Sequence, residues 1–417
     1  MRLRNALLAI ALATAAASTP SAVRAFARIR LPRRARRPEV VLAMSQFDIT
    51  FDNAGRKLYT PGDAKVWILS PEHKWTCAAI TDPDSNVVHK ALPYDVDGDG
   101  RNELVVVSGS RASIKFYRFR DGKWSSETVW QPKLLRVRDI EFGDVDGDGQ
   151  TEFVVATHDR GGVYVFNKVL GKWVPRQIHG TDYPCYVHEI EIGDVDGDGI
   201  QEIFANPSKP NVDVGVVQSG KVVMFKWNGQ GFDTTVIDDM TDTHAKEILV
   251  ADIYGNGRPV LVVPEEGVGR RFSDGRHELV RPAQLREFRW VNGEIKDRVI
   301  AEIPDFQIRS LWVGDADNDS VLDIVAGAKL AGLYILKRQG IMWKAHLIDA
   351  ESQSAVHAVA IVDLDGDGKN EILSAADYDG RLDRYRFTGS EWEKATVVDL
   401  PQGDWVWTIY QGDVDGR

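Results

Sequence analysis

Residues 144–152 read DVDGDGQTE. Three aspartates stand at alternate positions, glycines separate them, and a glutamate closes the stretch. Such a string turns sharply and points several carboxylates at one centre. It recurs along the chain. DVDGDGRNE starts at Asp95, DVDGDGIQE at Asp194 and DLDGDGKNE at Asp363. DIYGNGRPV at Asp252 and DADNDSVLD at Asp315 are looser copies, and a seventh, DVDGR, starts at Asp413. Successive starts lie 49, 50, 58, 63, 48 and 50 residues apart. A period near 50 residues marks a repeat architecture, and it has to be read before local structure.

A second pattern runs in phase with the first. FYRFRDGKWSSETV, YVFNKVLGKWVPRQI, VMFKWNGQGFDTTVI, EFRWVNGEIKDRVI, YILKRQGIMWKAHLI and YRFTGSEWEKATVV are aromatic-rich hairpins around a polar or Gly turn. A further copy, VWILSPEHKWTCAAI, precedes the first aspartate motif. One short apolar strand stands before each motif, as in VHEIEIG, and another after it, as in LVVVSG. Each unit therefore has four strands, and no useful helical periodicity interrupts them. Seven four-stranded units predict an all-β, seven-bladed propeller, because one blade cannot bury both faces alone. A solenoid would have a shorter repeat. Separate 50-residue domains would need staples, and two cysteines, Cys77 and Cys185, supply one bridge at most.

The DxDGDG loop between two strands, with its downstream hairpin, resembles the FG-GAP and VCBS repeat families, whose fold also forms integrin α-subunit heads. The resemblance spans about residues 39–417. It implies the propeller and a bound metal. It implies little about function, since propellers of this kind serve adhesion, carbohydrate binding and catalysis alike.

The loop chemistry points to calcium, which takes six to eight oxygen ligands. Four full sets are Asp95, Asp97, Asp99 and Glu103; Asp144, Asp146, Asp148 and Glu152; Asp194, Asp196, Asp198 and Glu202; and Asp363, Asp365, Asp367 and Glu371. Asp315, Asp317, Asp319 and Asp323 keep four acids with Ser320 in place of a glycine. Four carboxylates converging without a cation repel one another. An EF-hand is excluded, because its twelfth position needs an acid and here holds Val106, Val155, Ala205 or Ser374. The Asp252 copy keeps one carboxylate, with Tyr254, Asn256 and Val260 at the other places, and is expected to take no calcium.

Charge is lopsided. The net charge is −11, but residues 1–38 carry nine Arg and no acid, which leaves −20 for the rest. The twenty acids of the five loops match that figure. A body so acidic is a poor generic nucleic-acid binder. Residues 1–37 read as a leader: a basic MRLRN, a short apolar stretch and a small-residue end, with cleavage after Ala17 or Ala25. That favours export to the periplasm or exterior. Arg24 to Arg37 oppose translocation, so an organelle transit peptide is the alternative. No later stretch is long and apolar enough for a span, so no membrane segment is expected once the leader is gone.

Residues 38–417 are expected to form one propeller, its last blade shared between the chain ends. RRPEVVLAMS at 36–45 resembles GRNELVVVSG, so Glu39 stands where Glu103 does. The alternative is a chain truncated within its last blade.

Six residues before each motif's first aspartate stand His89, Arg138, His188, Lys246, Arg309, His357 and Trp407. Six of the seven can be cationic. These places open the inner strands, so they should ring one mouth of the channel as exposed strand-end charges. Arg111, His158, Arg160, Lys209, Lys329 and Tyr378 follow the second strands, and His244 lies beside Lys246. The ring reads as a pocket for an anion such as a uronate or sulfated sugar, with Arg138, Lys246, Arg309, Trp407, His244 and His158 as its ligand-binding residues. Three other readings stand beside it: solvated charges paired with Asp139, Glu189 and Asp377; a histidine metal site; and a protein ligand, with the chain as an adhesive module. If the mouth is catalytic, His89, His188 and His357 are the base candidates, and the chemistry is that of a carbon–oxygen lyase or dehydratase on a uronate. No GxSxG, HExxH or phosphate-binding glycine loop supports another chemistry. Trp124, Trp173, Trp343 and Trp392 recur in the outer hairpins, where packing explains them better than sugar stacking. A monomer is expected.

Overall fold

The computed structural model describes residues 39–414, apart from 46, 52–56, 72–74, 110, 181–184, 211–216, 275, 331, 351–354, 378 and 402. The leader and Tyr378 lie outside the described residues. Seven four-stranded antiparallel sheets account for most of the chain. The first runs Val87–Tyr94, Glu103–Gly109, Ser113–Arg120 and Lys123–Trp130, in that order from strand to strand. Five further sheets begin at Val137–Gly143, Tyr186–Gly193, Leu249–Ala251, Ile308–Gly314 and Val356–Val362. This is a seven-bladed β-propeller.

The seventh blade joins the two ends of the described chain. Trp405–Gly412 pairs with Glu39–Ser45, which pairs with Ala64–Ser70, followed by Thr76–Asp82. One hydrogen bond reproduces the repeat across this junction. In the first blade Val96 N donates to Glu103 Oε2 at 3.1 Å, and in the seventh Val414 N donates to Glu39 Oε2 at 3.3 Å.

Burial falls off along each blade for a geometric reason. A second strand is covered on both faces by neighbouring blades, so ELVVVSG at Glu103–Gly109 is buried throughout. The outermost strand meets solvent, and Lys123–Trp130 is mostly exposed. Aromatic rings fill the gaps between blades, as where Phe116 meets Phe153 at 6.1 Å. The hairpin tryptophans belong to this packing: Trp343 is buried, and Trp124, Trp173 and Trp392 are half-buried against the core. Cys77 and Cys185 are free thiols.

Two additions depart from a plain four-strand reading. Short hairpins at Phe47–Phe51 with Lys57–Pro61, and at Val268–Arg271 with His277–Arg281, are inserted between second and third strands. The second accounts for the longest spacing between motifs. The fourth blade's inner strand starts only at Leu249, so Lys246 stands in the loop before it. No helix among the described residues is long and apolar enough to cross a membrane.

Candidate functional site

One cavity gathers residues from the innermost strands of six blades and from the loop that leads into the fourth blade's. Its lining includes His89, Arg138, His188, Lys246, Arg309, His357 and Trp407, the whole set at the sixth place before the motifs. Their immediate successors Lys90, Asp139, Glu189, Glu247, Ser310, Ala358 and Thr408 line it as well. In a regular strand two successive side chains point to opposite faces. A register break lets both point inward here. The pairing skips between Val88 and Lys90, Val137 and Asp139, Val187 and Ile190, Ile308 and Ser310, and Val356 and Ala358. The seventh blade skips between Val406 and Thr408. So six blades carry a bulge at the ring residue. Bulges leave one residue out of the ladder and re-aim its side chain, often beside functional sites.

The ring is more buried than strand ends usually are, which corrects the expectation of exposed charges. His89, His188 and His357 are buried, and Arg138, Lys246, Arg309 and Trp407 are half-buried. The converging inner strands narrow the channel and dry its wall. Burial and the neighbouring guanidinium of Arg138 hold His89 and His188 well below the usual imidazole range. Burial brings Arg138 down to about 10 against the pull of Glu189, and Lys246 to about 8 against the pull of Glu266.

Specific contacts set the ring's chemistry. Arg138 Nη1 donates to His89 Nδ1 at 2.8 Å, so the His89 proton sits on Nε2. The Arg138 guanidinium lies over the Trp407 ring, 5.3 Å from its centroid. Trp407 Nε1 donates to Ser45 Oγ at 2.5 Å, which fixes the ring at the mouth. His357 Nδ1 is hydrogen-bonded to Asp377 Oδ1. Lys90 pairs across blades with Asp139 at 2.6 Å and with Glu141. Several polar atoms in this wall are buried with no hydrogen-bond partner among the described residues: Nε of Arg138 and Arg309, Nε2 of His89, both ring nitrogens of His188 and the Thr408 hydroxyl. Polar groups so placed can be satisfied by water or by a ligand.

His158 and His244 stand behind the wall and do not line it. His158 stacks on Tyr186 at 3.6 Å and meets His188 edge-on at 5.6 Å. His244 Nε2 lies 3.3 Å from Glu266 Oε2, which also accepts from Gln307 at 2.7 Å. Arg111 is exposed and 3.8 Å from Asp84. The space open to a water-sized sphere is about 60 Å³. One water needs roughly 10–15 Å³ on that measure. On that measure the cavity has room for about four to six waters.

The acidic loops form as the repeat demands. Carboxylate oxygens from Asp194, Asp196, Asp198 and Glu202 lie within 4.8 Å of one another. So do those of three acids in each of the sets at Asp95, Asp144, Asp315 and Asp363. Each closing acid also accepts from the backbone of its own loop, as Glu152 does from Val145 N at 3.2 Å. Several of these clusters could hold a metal ion.

Sequence reasoning missed what stands opposite them. Cross-strand from the closing acids, the third strands place Arg118, Asn167, Lys226, Lys337 and Arg386. Lys226 Nζ reaches Asp198 at 2.7 Å and Glu202 at 3.1 Å, and also meets Asp196. Lys337 reaches Asp317, Asp319 and Asp323 at 2.7–3.0 Å. Arg386 meets Asp365 and Glu371, and Arg118 and Arg120 meet Glu103. Only the 144–152 set faces a neutral residue, Asn167, whose Nδ2 donates to Asp146 at 3.2 Å. Burial and then Asp146 raise Glu152 to about 7. In the fourth blade Tyr254 and Arg298 meet Glu287 instead, at 2.6 and 2.9 Å.

Three stretches of the chain, 95–155, 144–205 and 363–417, match the model of the FG-GAP-like repeat. The chain carries FG-GAP-like repeats. No curated protein matches the sequence. Among solved structures, this propeller is similar to a protein of Bacteroides uniformis described as a "putative 6-phosphogluconolactonase" (TM-score 0.55, 11% identity, 90% of this chain and 100% of that one). A protein of Bacteroides fragilis with the same description matches at TM-score 0.53 and 11% identity, over 92% of this chain and all of the other. At that identity the likeness is one of fold.

Proposed function

We propose that this is an exported FG-GAP propeller that grips an anionic carbohydrate by its acidic group at the cationic mouth. The observation behind the reading is the set of six bulges, which turn ring residues inward although four of them, His89, Arg138, His188 and Arg309, keep a buried polar atom unmet among the described residues. Protein folding gains nothing from orphaned buried donors, whereas an oxyanion would satisfy several at once. Trp407 supplies an aromatic face beside the guanidinium of Arg138, the pairing suited to a sugar bearing a carboxylate or sulfate. Titration calorimetry against uronate and sulfated oligosaccharides, with neutral oligosaccharides as controls, tests it. Acidic ligands should bind, neutral ones should not, and salt should weaken the binding. Binding of neutral sugars alone, or of none, overturns the reading.

The loops serve the scaffold in this reading. Hard carboxylate oxygens suit calcium, and the set Asp144, Asp146, Asp148 and Glu152 fits it best, since among the described residues no side-chain cation pairs with it. In the other four sets Arg118 with Arg120, Lys226, Lys337 and Arg386 offset part of the charge that calcium would neutralise. Asp146→Ala should therefore remove most of the difference in melting temperature between calcium and chelator. A ligand at a hundredfold excess over its Kd stabilises the folded form by about 2.7 kcal/mol. Equal melting of the unmutated protein with and without chelator would sink the calcium assignment.

A further inference from the structure

The three histidines of the mouth are not equivalent. His89 has its Nδ1 lone pair taken by the Arg138 guanidinium at 2.8 Å, which leaves a protonated Nε2 that cannot accept. His188 has no hydrogen-bond partner on either ring nitrogen among the described residues, so nothing fixes its tautomer. His357 differs from both. Its Nδ1 is bonded to the carboxylate of Asp377, at the end of the second strand of the same blade. Both side chains are about nine-tenths buried, and the imidazole lies against Trp407, ring centroids 4.7 Å apart. A carboxylate on Nδ1 holds the proton there and leaves the Nε2 lone pair as the ring's remaining polar atom, in a residue that lines the cavity. The same cavity wall holds Arg138 and Arg309.

We infer that the mouth is a proton-transfer site, with His357 the general base, Asp377 its positioning residue, and a carboxylate-bearing sugar the substrate. This rests on the anion reading above and adds chemistry to it. Arg138 and Arg309 hold the carboxylate. His357 Nε2 takes the proton from the carbon next to it, and the C–H electron pair moves into the carboxylate to give an enediolate. The guanidiniums oppose the charge that develops on the oxygens. The imidazolium then returns the proton to the same carbon, so the net reaction is exchange of hydrogen with solvent and needs no other reactant. Where the neighbouring carbon bears a leaving oxygen, the same electron pair can instead form a C=C bond as the C–O bond breaks. The imidazolium's proton then goes to the departing oxygen.

The test uses the whole chain in D2O with the methyl glycosides of glucuronate and galacturonate. Proton NMR follows loss of the signal from the hydrogen beside the carboxylate, and calorimetry follows binding. Exchange above the protein-free rate is expected. His357→Gln and Asp377→Asn should each slow it by roughly 100-fold or more, the usual scale for a general base and its orientation. Asp377→Asn should leave the Kd within about threefold, because Asp377 acts through His357 and not on the ligand. A merely structural role for Asp377 would move both together. Binding without exchange in the unmutated protein overturns this inference and leaves the anion reading standing. Absence of binding overturns the anion reading and this one with it. Exchange that persists in His357→Gln places the base elsewhere and overturns the assignment.

Discussion

A chain lacking residues 39–45 is expected to lose its folded monomeric state. That segment is the second strand of the seventh blade, and all seven of its residues are buried. It is hydrogen-bonded to Trp405–Gly412 on one side and to Ala64–Ser70 on the other. Its removal separates the innermost strand of that blade from the outer two and opens two sheet edges, which invite pairing between chains. Val40, Val41, Leu42 and Met44 are wholly buried. At about 1.5–3 kcal/mol for each buried side chain, their loss removes roughly 6–12 kcal/mol. The whole net stability of a domain is only about 5–15 kcal/mol. Circular dichroism should show no cooperative melt at the temperature of the unmutated protein, and size-exclusion chromatography should show aggregates. Leu42→Asp is the milder form of the same test, since it places one unpaired charge in that strand. A monomeric, cooperatively melting deletion variant would show that the ring does not depend on this strand.

The parts of the structure that repeat were legible in the sequence, and the parts that depend on pairing were not. The motifs at Asp95, Asp144, Asp194 and Asp363 announce the blades because each must make the same turn between the same two strands. The ring from His89 to Trp407 was legible for the same reason, since a fixed distance from a repeated loop is a fixed place in the blade. Its burial was not, because it follows from seven strands converging, which no single repeat contains. The bulges were hidden as well. Whether Arg138 is skipped in the ladder depends on how Val137 and Asp139 meet Thr157 and Ala156 on the next strand. The side-chain cations in the acidic loops lay in plain view within the hairpins, as Lys226 in VMFKW and Lys337 in YILKR. Their role needed the register, which sets Lys226 opposite Glu202 and leaves Asn167 opposite Glu152. A useful signal is the residue that follows the buried apolar residue of each third strand, read against the closing acid of its own loop.

The double variant Arg138→Gln, Arg309→Gln should abolish measurable binding of acidic oligosaccharides while the melting temperature stays level or rises. The affinity half follows from two charge-assisted contacts, each contributing about 1.5–3 kcal/mol. Together they amount to at least about 100-fold in Kd. The stability half follows from the burial found here and runs against intuition for a buried arginine. Burial, helped by Arg136 and Arg309, lowers Arg138 to about 10, so keeping it charged there costs stability. Glu189 offsets part of that cost. Glutamine is neutral, and its amide can still donate to His89 in place of the guanidinium. Removing like charges held close together relieves repulsion, as at other sites where function is kept at the expense of stability. Calorimetry against a uronate oligosaccharide and a thermal melt of the same sample give both halves at once. A double variant that binds as well as the unmutated protein overturns the anion site. A variant that binds weakly only because its melting temperature has collapsed would make the ring part of the scaffold. Weak binding with a level or raised melting temperature is what a ring built for an anion predicts, because the charges that hold the ligand are the ones the fold is better without.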